Sequence, residues 1–301
     1  MNIAITGGSG LIGKTIINSY ANQHSFVILG RNGTNKWGDQ STRYIQTDYS
    51  IKSLKEQLNN IDGIIHLAAI RQQSRNQQLS IDSYLTNIKL SANVFEACKE
   101  LGIKNVSYTS SHSVYGSTNE DPYNEDQKVS PETIYGLSKY TNENLANYYN
   151  DKFKMSIKSL RIASVFGLRD YSDLFNTFIN SAIKKKAIKV KGDGSACIAY
   201  IYVKDAVTAI MDSLLMIDLK GTINIGTGKD ISILSLAQNI NYIFDNRENI
   251  VYLKNKEFNY NEAIMDINKA FKLLNWEPKW PLSLMLEDVK QSYFKRVLTG
   301  E

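Results

Sequence analysis

Near its start the sequence reads Thr6-Gly7-Gly8-Ser9-Gly10-Leu11-Ile12-Gly13, between a short apolar run and a helical pattern. Its glycines fit two spacings at once, GxxGxxG from Gly7 and GxGxxG from Gly8. Glycines placed in this way let the backbone turn sharply and approach a pyrophosphate, whose charge then lies at the helix N-terminus. The loop and the first helical residues, Leu11 and Ile12, are therefore predicted to bind a dinucleotide.

Short β-type runs alternate with longer helical patterns through the first two thirds of the chain. Strands are predicted at Asn2–Thr6, Ser25–Leu29, Arg43–Thr47, Gly63–Leu67, Asn105–Thr109 and Ser156–Arg161. Helices are predicted at Leu11–Ala21, Ile51–Leu58, Ile81–Leu101 and Ile134–Asp151. This alternation predicts an α/β fold, a Rossmann doubly wound parallel sheet.

The alternation breaks after about residue 165. Beyond it the sequence predicts turns at Gly192–Gly194 and Gly226–Gly228, a strand at Ile198–Val203 and a helix at Leu234–Phe244. We therefore predict an NAD(P)-binding Rossmann domain over residues 1–165. Residues 166–301 are predicted to form mainly a smaller substrate-binding lobe, interleaved with the last Rossmann strands.

Composition and charge argue against several other classes of protein. An apolar content of 43% supports a full core. Two distant cysteines, Cys98 and Cys197, predict neither a disulfide framework nor a metal site, and they favour a reducing compartment. With no signal-peptide pattern and no long apolar run, we expect a cytoplasmic protein without membrane association. The net charge of +5 comes with no nucleic-acid-binding motif.

The choice between NAD and NADP depends on the end of the second predicted strand. NAD sites usually place an acid there to bind the ribose 2′-hydroxyl, whereas this chain has Gly30-Arg31. Arg31 is suited to pair with a 2′-phosphate, which favours NADP, although a loop arginine with no ligand role fits the same pattern. Asp48, just after the third strand, is predicted to meet the adenine edge of the cofactor.

Tyr135 and Lys139 are spaced to lie one turn apart on the same face of a predicted helix. A phenol with a pKa of about 10 exchanges protons poorly at neutral pH, and a neighbouring ammonium stabilises the phenolate. The same spacing recurs at Tyr148/Lys152, Tyr200/Lys204 and Tyr252/Lys256, so spacing alone does not identify a site. Tyr135 differs from the other three tyrosines in its context. It lies at the start of a predicted helix, about 25 residues after a strand that ends in hydroxyl side chains at Ser111.

Taken together, these motifs resemble the extended short-chain dehydrogenase/reductase family, in its NAD(P)-dependent sugar-nucleotide epimerase/dehydratase branch. Further matching pieces are spread through the chain: His66-Leu67-Ala68-Ala69, Asn87, Val114-Tyr115-Gly116, Phe166-Gly167, Gly192-Asp193-Gly194 and Leu274–Pro278. The resemblance covers most of the chain and is specific for the family rather than for one member.

The resemblance implies a role for each matching residue. Tyr135 would be the acid/base, Lys139 would hold the nicotinamide ribose and tune Tyr135, and Ser111 would bind the reacting hydroxyl or carbonyl. Further cofactor contacts are implied at Gly7, Gly10, Gly13, Leu67, Ala68, Ala69 and Val165, with Asn87 bracing the site from a neighbouring helix. Substrate contacts are expected at Ser111, His112 and Ser164, and no metal is expected.

The residues after Ser111 bear on the reaction. Dehydratases of this branch carry an Asp-Glu pair there, whereas this chain has His112-Ser113, which disfavours dehydration. Two main interpretations remain: a UDP-sugar 4-epimerase working by transient oxidation at sugar C4, and an NADPH-dependent 4-ketoreductase of a nucleotide sugar. A reductase of another small carbonyl compound and a non-catalytic NADP sensor are weaker alternatives.

The sequence departs from the family where a nucleotide diphosphate would bind. Ile198 stands in place of one expected arginine and Asn259–Glu262 in place of another, so Lys204, Lys254 or Lys256 would have to compensate. The resemblance also implies a homodimer built on Ile81–Leu101 and Ile134–Asp151. An apolar stripe on the first of these helices fits either a dimer or ordinary core packing: Ile81, Leu85, Ile88, Ala92 and Phe95.

Overall fold

A computed structural model describes residues 1–31, 42–71, 79–117, 122–168, 173–254 and 264–299. Lys256 and Asn259–Glu262, which entered the predictions about the diphosphate, lie outside these ranges. No helix among the described residues is long and apolar enough to cross a membrane.

The described elements follow one another in α/β order before the smaller strands appear. The strands are β1 Asn2–Thr6, β2 Ser25–Gly30, β3 Thr42–Gln46, β4 Gly63–His66, β5 Asn105–Ser111, β6 Ser156–Ile162, β7 Ser164–Phe166, β8 Lys189–Lys191, β9 Cys197–Tyr202, β10 Gly221–Ile225, β11 Asp230–Ser232 and β12 Val251–Leu253. The helices are α1 Leu11–Tyr20, α2 Ile51–Gln57, α3 Ile81–Leu101, α4 Ile134–Phe153, α5 Leu174–Ile183, α6 Val203–Leu215, α7 Ile233–Ile243, α8 Asn268–Leu274 and α9 Leu282–Thr299. A short 3-10 helix, His112–Val114, follows β5.

Seven of these strands form one sheet in the order β10-β6-β5-β4-β1-β2-β3, with every neighbouring pair parallel. The predicted Rossmann fold is therefore confirmed. The chain leaves β1 towards β2 and β3 on one side and later adds β4, β5 and β6 on the other. In open α/β sheets this reversal opens a crevice at the carboxyl ends of the strands, where ligands bind.

Both faces of the sheet are covered, which explains its continuously apolar strands. In β1, Ile3 and Ile5 belong to one core cluster and Ala4 belongs to the other. The predicted end of β5 was two residues short. Ser110 and Ser111 continue the strand because they keep parallel register with Arg161 and Ile162 of β6.

Elements after residue 165 contribute to both parts of the molecule. Strand β10 joins the edge of the seven-stranded sheet beside β6, and α6 packs against α1 and against strands of the same sheet. Two small sheets, β11-β9-β7 and β12-β8, accompany them. The division of the chain at residue 165 into cofactor and substrate regions stays a prediction.

Candidate active site

The glycine loop connects β1 to α1 with very little space around its backbone. Gly7 has a φ of +72°, and a Cβ on it would lie 2.8 Å from the backbone nitrogen of Ala68. A Cβ on Gly13 would lie 2.5 Å from the Cα of Gly8. Both positions therefore require glycine, for a left-handed turn and for close packing of α1 against the loop.

The N-terminus of α1 differs from those of α2, α3 and α4. Side chains of Ser50, Ser80 and Thr133 accept hydrogen bonds from the first turns of α2, α3 and α4. The N-cap of α1 is Gly10, which offers no side chain, and the first turn of α1 contains no acidic residue. Its first N–H groups, beginning at Leu11, are therefore suited to bind the oxygens of a phosphate.

Two residues predicted to contact the adenosine end lie at the carboxyl ends of β2 and β3. The side chain of Arg31 is exposed, and its backbone oxygen accepts a hydrogen bond from Gln46 Nε2 at 3.0 Å. Asp48 is also exposed, and its carboxylate accepts the N–H of Ser50 at 2.8 Å. That backbone hydrogen bond holds the pKa of Asp48 below its ordinary value, so the group is an anion at neutral pH.

Tyr49, which the sequence analysis did not single out, lies buried between these strands and the glycine loop. It adopts a φ of +60°, and its hydroxyl donates to the carbonyl of Leu29 at 2.7 Å. Burial raises the pKa of this phenol to about 12, and the Gly7 backbone opposes that increase. Tyr49 thus interacts with both the glycine loop and the end of β2.

A buried polar network connects the glycine loop with helix α4. Thr6 Oγ1 lies 2.7 Å from His66 Nδ1, and His66 Nε2 lies 2.9 Å from Ser91 Oγ. Asn142 of α4 donates to the same Ser91 hydroxyl at 2.9 Å. Burial, assisted by the charge of Lys139, lowers the pKa of His66 to about 3, so the ring is neutral.

The segment after β4 is held from both sides. The backbone N–H groups of Leu67 and Ala68 donate to the carbonyl and hydroxyl of Thr6, at 3.1 and 3.2 Å. Asn87 of α3 binds Ile70 twice, accepting its N–H at 2.7 Å and donating to its carbonyl at 2.9 Å. Ala68 and Ala69 therefore pass beside Gly7 in a fixed backbone path.

Lys139 is buried beneath the start of α4. Its ammonium donates to the carbonyl of Thr109 at 2.5 Å and lies 5.6 Å from the centre of the Tyr135 ring. Burial lowers the pKa of Lys139 to about 7, and the carboxylate of Glu143 opposes that decrease. Tyr135 itself is partly exposed, as a group that meets a substrate must be.

Ser111 ends β5, and His112 begins the short 3-10 helix that follows it. The Ser111 hydroxyl accepts hydrogen bonds from the N–H and the hydroxyl of Ser113, at 3.2 and 2.9 Å. His112 Nδ1 lies 3.2 Å from the carbonyl of Ile162. A Cβ on Gly136 would lie only 2.4 Å from the Ser113 carbonyl, so the start of α4 packs directly on this turn. The structure therefore brings the Ser111 turn against the helix that carries Tyr135.

Strand β7 carries the predicted contacts Ser164 and Val165, both partly buried. Just beyond it, a Cβ on Gly167 would lie 3.0 Å from Leu11 Cδ2. The end of β7 thus lies beside the N-terminus of α1, on the side where the glycine loop opens.

Two charged residues near the site were not singled out from the sequence. Arg71 directly follows the segment held by Asn87 and interacts electrostatically with Tyr135 and Asp173. Glu143 lies one turn beyond Lys139 on α4 and forms a buried ion pair with Arg161. The sequence signal was present in both cases: a cation next to Ala68-Ala69, and an acid four residues after Lys139.

Ile198, which replaces an expected arginine, and the lysines predicted to compensate for it have different surroundings. Ile198 is buried in β9, so this position contributes no polar group. Lys204 forms an ion pair with Asp288 at 2.7 Å and lies 4.6 Å from the ring centre of Trp280. Lys254 is exposed at the end of β12.

Comparison with known proteins finds one family along most of the chain. The model of the NAD dependent epimerase/dehydratase family matches residues 3–226. A putative UDP-glucose 4-epimerase of Methanocaldococcus jannaschii is 29% identical over 291 residues, which cover 92% of this chain and 93% of the relative.

Solved structures agree with this match. A UDP-N-acetylglucosamine 4-epimerase from Bacillus cereus superposes with a TM-score of 0.87 at 29% identity, covering 97% of this chain and 96% of that one. A UDP-glucuronic acid 4-epimerase from Bacillus cereus, in complex with NAD, superposes with a TM-score of 0.85 at 26% identity and 99% coverage of both chains.

Proposed function

The chain belongs to the NAD-dependent epimerase/dehydratase family, and we propose that it is a UDP-sugar 4-epimerase. The observation that carries this proposal is the position of Tyr135, directly above the buried Lys139 on a helix that packs against the Ser111 turn. The similar proteins named as UDP-sugar 4-epimerases support the choice of reaction and of substrate class. The residues after Ser111 lack the carboxylates of a dehydratase, which supports the same choice.

The residues of the crevice fit a dinucleotide. We assign the pyrophosphate to the N–H groups of Leu11 and Ile12, beside Gly10, since this helix N-terminus has no side-chain cap. Gly7 and Gly13 leave room for that approach, and the backbone of Leu67, Ala68 and Ala69 forms the opposite wall. Asp48 and Arg31 lie towards the adenosine end, and Asn87, Lys139 and Val165 towards the nicotinamide.

Each member of the catalytic group has a defined task in this proposal. When bound, the nicotinamide would supply the hydride acceptor and donor for C4 of the sugar. Tyr135 removes the proton of the C4 hydroxyl and later returns it. The Lys139 ammonium stabilises the phenolate, because an adjacent positive charge favours the ionised phenol. Ser111 donates its hydroxyl to the C4 oxygen and so fixes the orientation of the sugar.

We assign the nucleotide end of the substrate mainly to residues 166–301, together with His112 and Ser164. Because Ile198 is apolar and Lys204 is engaged by Asp288, the negative charge of the substrate needs another partner. We assign this role to Arg71, a cation that interacts electrostatically with Tyr135 and Asp173.

One observation favours a second candidate function. Arg31, rather than an acid, stands at the end of β2, and an arginine there suits the 2′-phosphate of NADP. A protein that takes up and releases NADPH would act as a 4-ketoreductase of a nucleotide sugar. An epimerase instead keeps NAD bound through many turnovers, because its cofactor is regenerated within each cycle.

Mass spectrometry of the nucleotides released from denatured purified protein separates these candidates. We expect NAD among the released nucleotides. In an NMR assay, we expect UDP-glucose, UDP-N-acetylglucosamine or UDP-glucuronate to be interconverted with its C4 epimer. An empty protein that consumes NADPH with a 4-keto sugar would overturn the epimerase in favour of the reductase. Binding of neither a dinucleotide nor a UDP sugar would overturn both.

We further propose that the protein is a cytoplasmic homodimer. Apolar side chains lie exposed on α3 and α4: Ile81 is 60%, Leu85 56% and Leu137 39% exposed. Burial of such a face against a second copy suits a two-fold dimer. Light scattering is expected to show a dimer that Leu85→Glu dissociates, whereas Leu298→Glu on α9, a matched exposed position, leaves it intact. Both cysteines are free thiols, which fits a reducing compartment.

A further inference from the structure

Lys139 lies in an environment that disfavours its own charge. Its side chain is only 2% exposed, and its hydrogen bond to Thr109 reaches a neutral carbonyl. A buried ammonium loses the stabilisation of water unless a negative charge lies near it. For Lys139 to assist Tyr135, something in the fold has to keep it protonated.

Glu143 is placed to supply that negative charge. It lies four residues after Lys139, a spacing that puts both side chains on one face of α4. Ser110 donates to Glu143, while Lys139 donates to Thr109, so the two side chains bind consecutive residues of β5. The carboxylate is 2% exposed and therefore acts through a medium that screens it weakly.

Arg161 keeps this carboxylate ionised and in place. Its Nε and Nη2 donate to the two oxygens of Glu143 at 3.0 and 2.8 Å, and the guanidinium lies 4.6 Å from the ring centre of Tyr115. A two-pronged arrangement of this kind fixes the carboxylate in both distance and orientation. Glu143 is thus a buried anion with a fixed geometry, one helical turn from Lys139 on α4.

Among the described residues beside Lys139, Tyr108 and His66 offer no negative charge to it. Burial keeps the phenol of Tyr108 protonated by raising its pKa, and His66 is neutral. The groups that face Lys139 from the surrounding described elements are Tyr135 and Glu143 on α4, Tyr108 on β5, His66 on β4 and, behind Glu143, Arg161 on β6.

We propose that Glu143, held by Arg161 and Ser110, is a positioning residue that keeps Lys139 protonated and thereby sets the pH range in which Tyr135 works. The effect on Tyr135 rests on the proposed function, whereas the effect of Glu143 on the charge of Lys139 does not. Removing the negative charge makes proton release easier from both members of the coupled Tyr135–Lys139 pair.

The test compares Glu143→Gln, which removes the charge and keeps the size, with Glu143→Asp, which keeps the charge and disturbs the ion pair. In Glu143→Gln the alkaline limb of the pH–rate profile should move down by at least about one pH unit. In Glu143→Asp the rate should fall while the limb stays near its original pH. Equal positions of the limb in wild type and Glu143→Gln, or equal shifts in both variants, would overturn the proposal.

A second measurement needs no turnover and no substrate. Because the folded pKa of Lys139 is about 7 and the unfolded value about 10.5, unfolding takes up a proton between these pH values. In Glu143→Gln the proton uptake on unfolding should extend below pH 7. It is measured as the slope of the unfolding free energy against pH. Lys139→Met should abolish it in both backgrounds. An unchanged slope in Glu143→Gln would overturn the inference, even if no UDP sugar were ever converted.

If Glu143→Gln does not fold, Glu143→Gln/Arg161→Met removes both buried charges and leaves neither unpaired. The double variant should show the same downward extension of proton uptake, although smaller, since a positive charge has also been lost. An upward shift, or no shift, would contradict the assignment of Glu143 as the ion that stabilises Lys139.

Discussion

At the N-terminus of α1 the site is lined by backbone, whereas at the start of α4 it is lined by buried side chains. The glycine loop offers N–H groups and free space, and a Cβ on Gly7 or Gly13 would collide with backbone. Around Lys139, in contrast, Thr109, Glu143 and Arg161 supply a carbonyl and two opposite charges. The first region is sensitive to added volume and the second to changed charge or hydrogen bonding. Variants of each kind therefore test whether binding and chemistry are separable.

The largest effect is expected for Tyr135→Phe, in the side-chain region. Loss of the phenol removes the proton-transfer group, so the turnover rate should fall by about 10³-fold. Cofactor affinity, measured by calorimetry, should change little because the backbone region is intact. Tyr148→Phe, an exposed tyrosine with the same spacing to a lysine, serves as control and should keep full activity. A Tyr135→Phe protein with normal turnover would refute the catalytic assignment.

A smaller effect is expected from adding a methyl group in the backbone region. Gly13→Ala should destabilise the fold by about 1–3 kcal/mol, because the new Cβ meets the Gly8 backbone. Gly10→Ala should leave unfolding in urea nearly unchanged, since among the described residues its Cβ would meet only the Gly7 carbonyl, at 3.4 Å. The cofactor affinity of the Gly10→Ala protein should still fall at least about tenfold, because the added methyl group occupies the approach to the N-terminus of α1. Unchanged affinity in Gly10→Ala would mean that the pyrophosphate lies elsewhere.

The third effect concerns the pH dependence of stability at His66, which joins the two regions. Its pKa is about 3 in the folded protein and about 6.5 when unfolded, so unfolding takes up a proton between these values. Stability should therefore decrease as pH falls through that window, by up to about 1.4 kcal/mol per pH unit. Urea titrations at several pH values should show a shallower slope in His66→Asn. His24→Asn, at a partly exposed position, should keep most of the slope; an equal loss in both variants would show that His66 is not the group responsible.

The backbone region was accessible from the sequence because its chemistry depends on contiguous residues. The glycine spacing, the preceding strand and the following helix all lie within Asn2–Tyr20, and the structure has them as predicted. Tyr135 and Lys139 were also found, since one helical turn relates them. Their roles, and those of Arg31, Asp48 and Ser164, stay predictions.

The side-chain region was only partly accessible, because its members come from elements that are far apart in the sequence. Thr6, His66, Ser91 and Asn142 meet through hydrogen bonds that no local spacing encodes. Tyr49 and Arg71 gain their importance from what packs against them, which the parallel strand order decides.

The sequence by itself determined the α/β class, the family resemblance and the dinucleotide loop, since periodicity and glycine spacing are local properties. Only the tertiary structure decided which charges surround Lys139. Glu143 and Arg161 are 18 residues apart in the chain, and they meet because β5 and β6 are neighbouring parallel strands beneath α4. Electrostatic interactions depend on distance in space and on burial, and the fold alone fixes both.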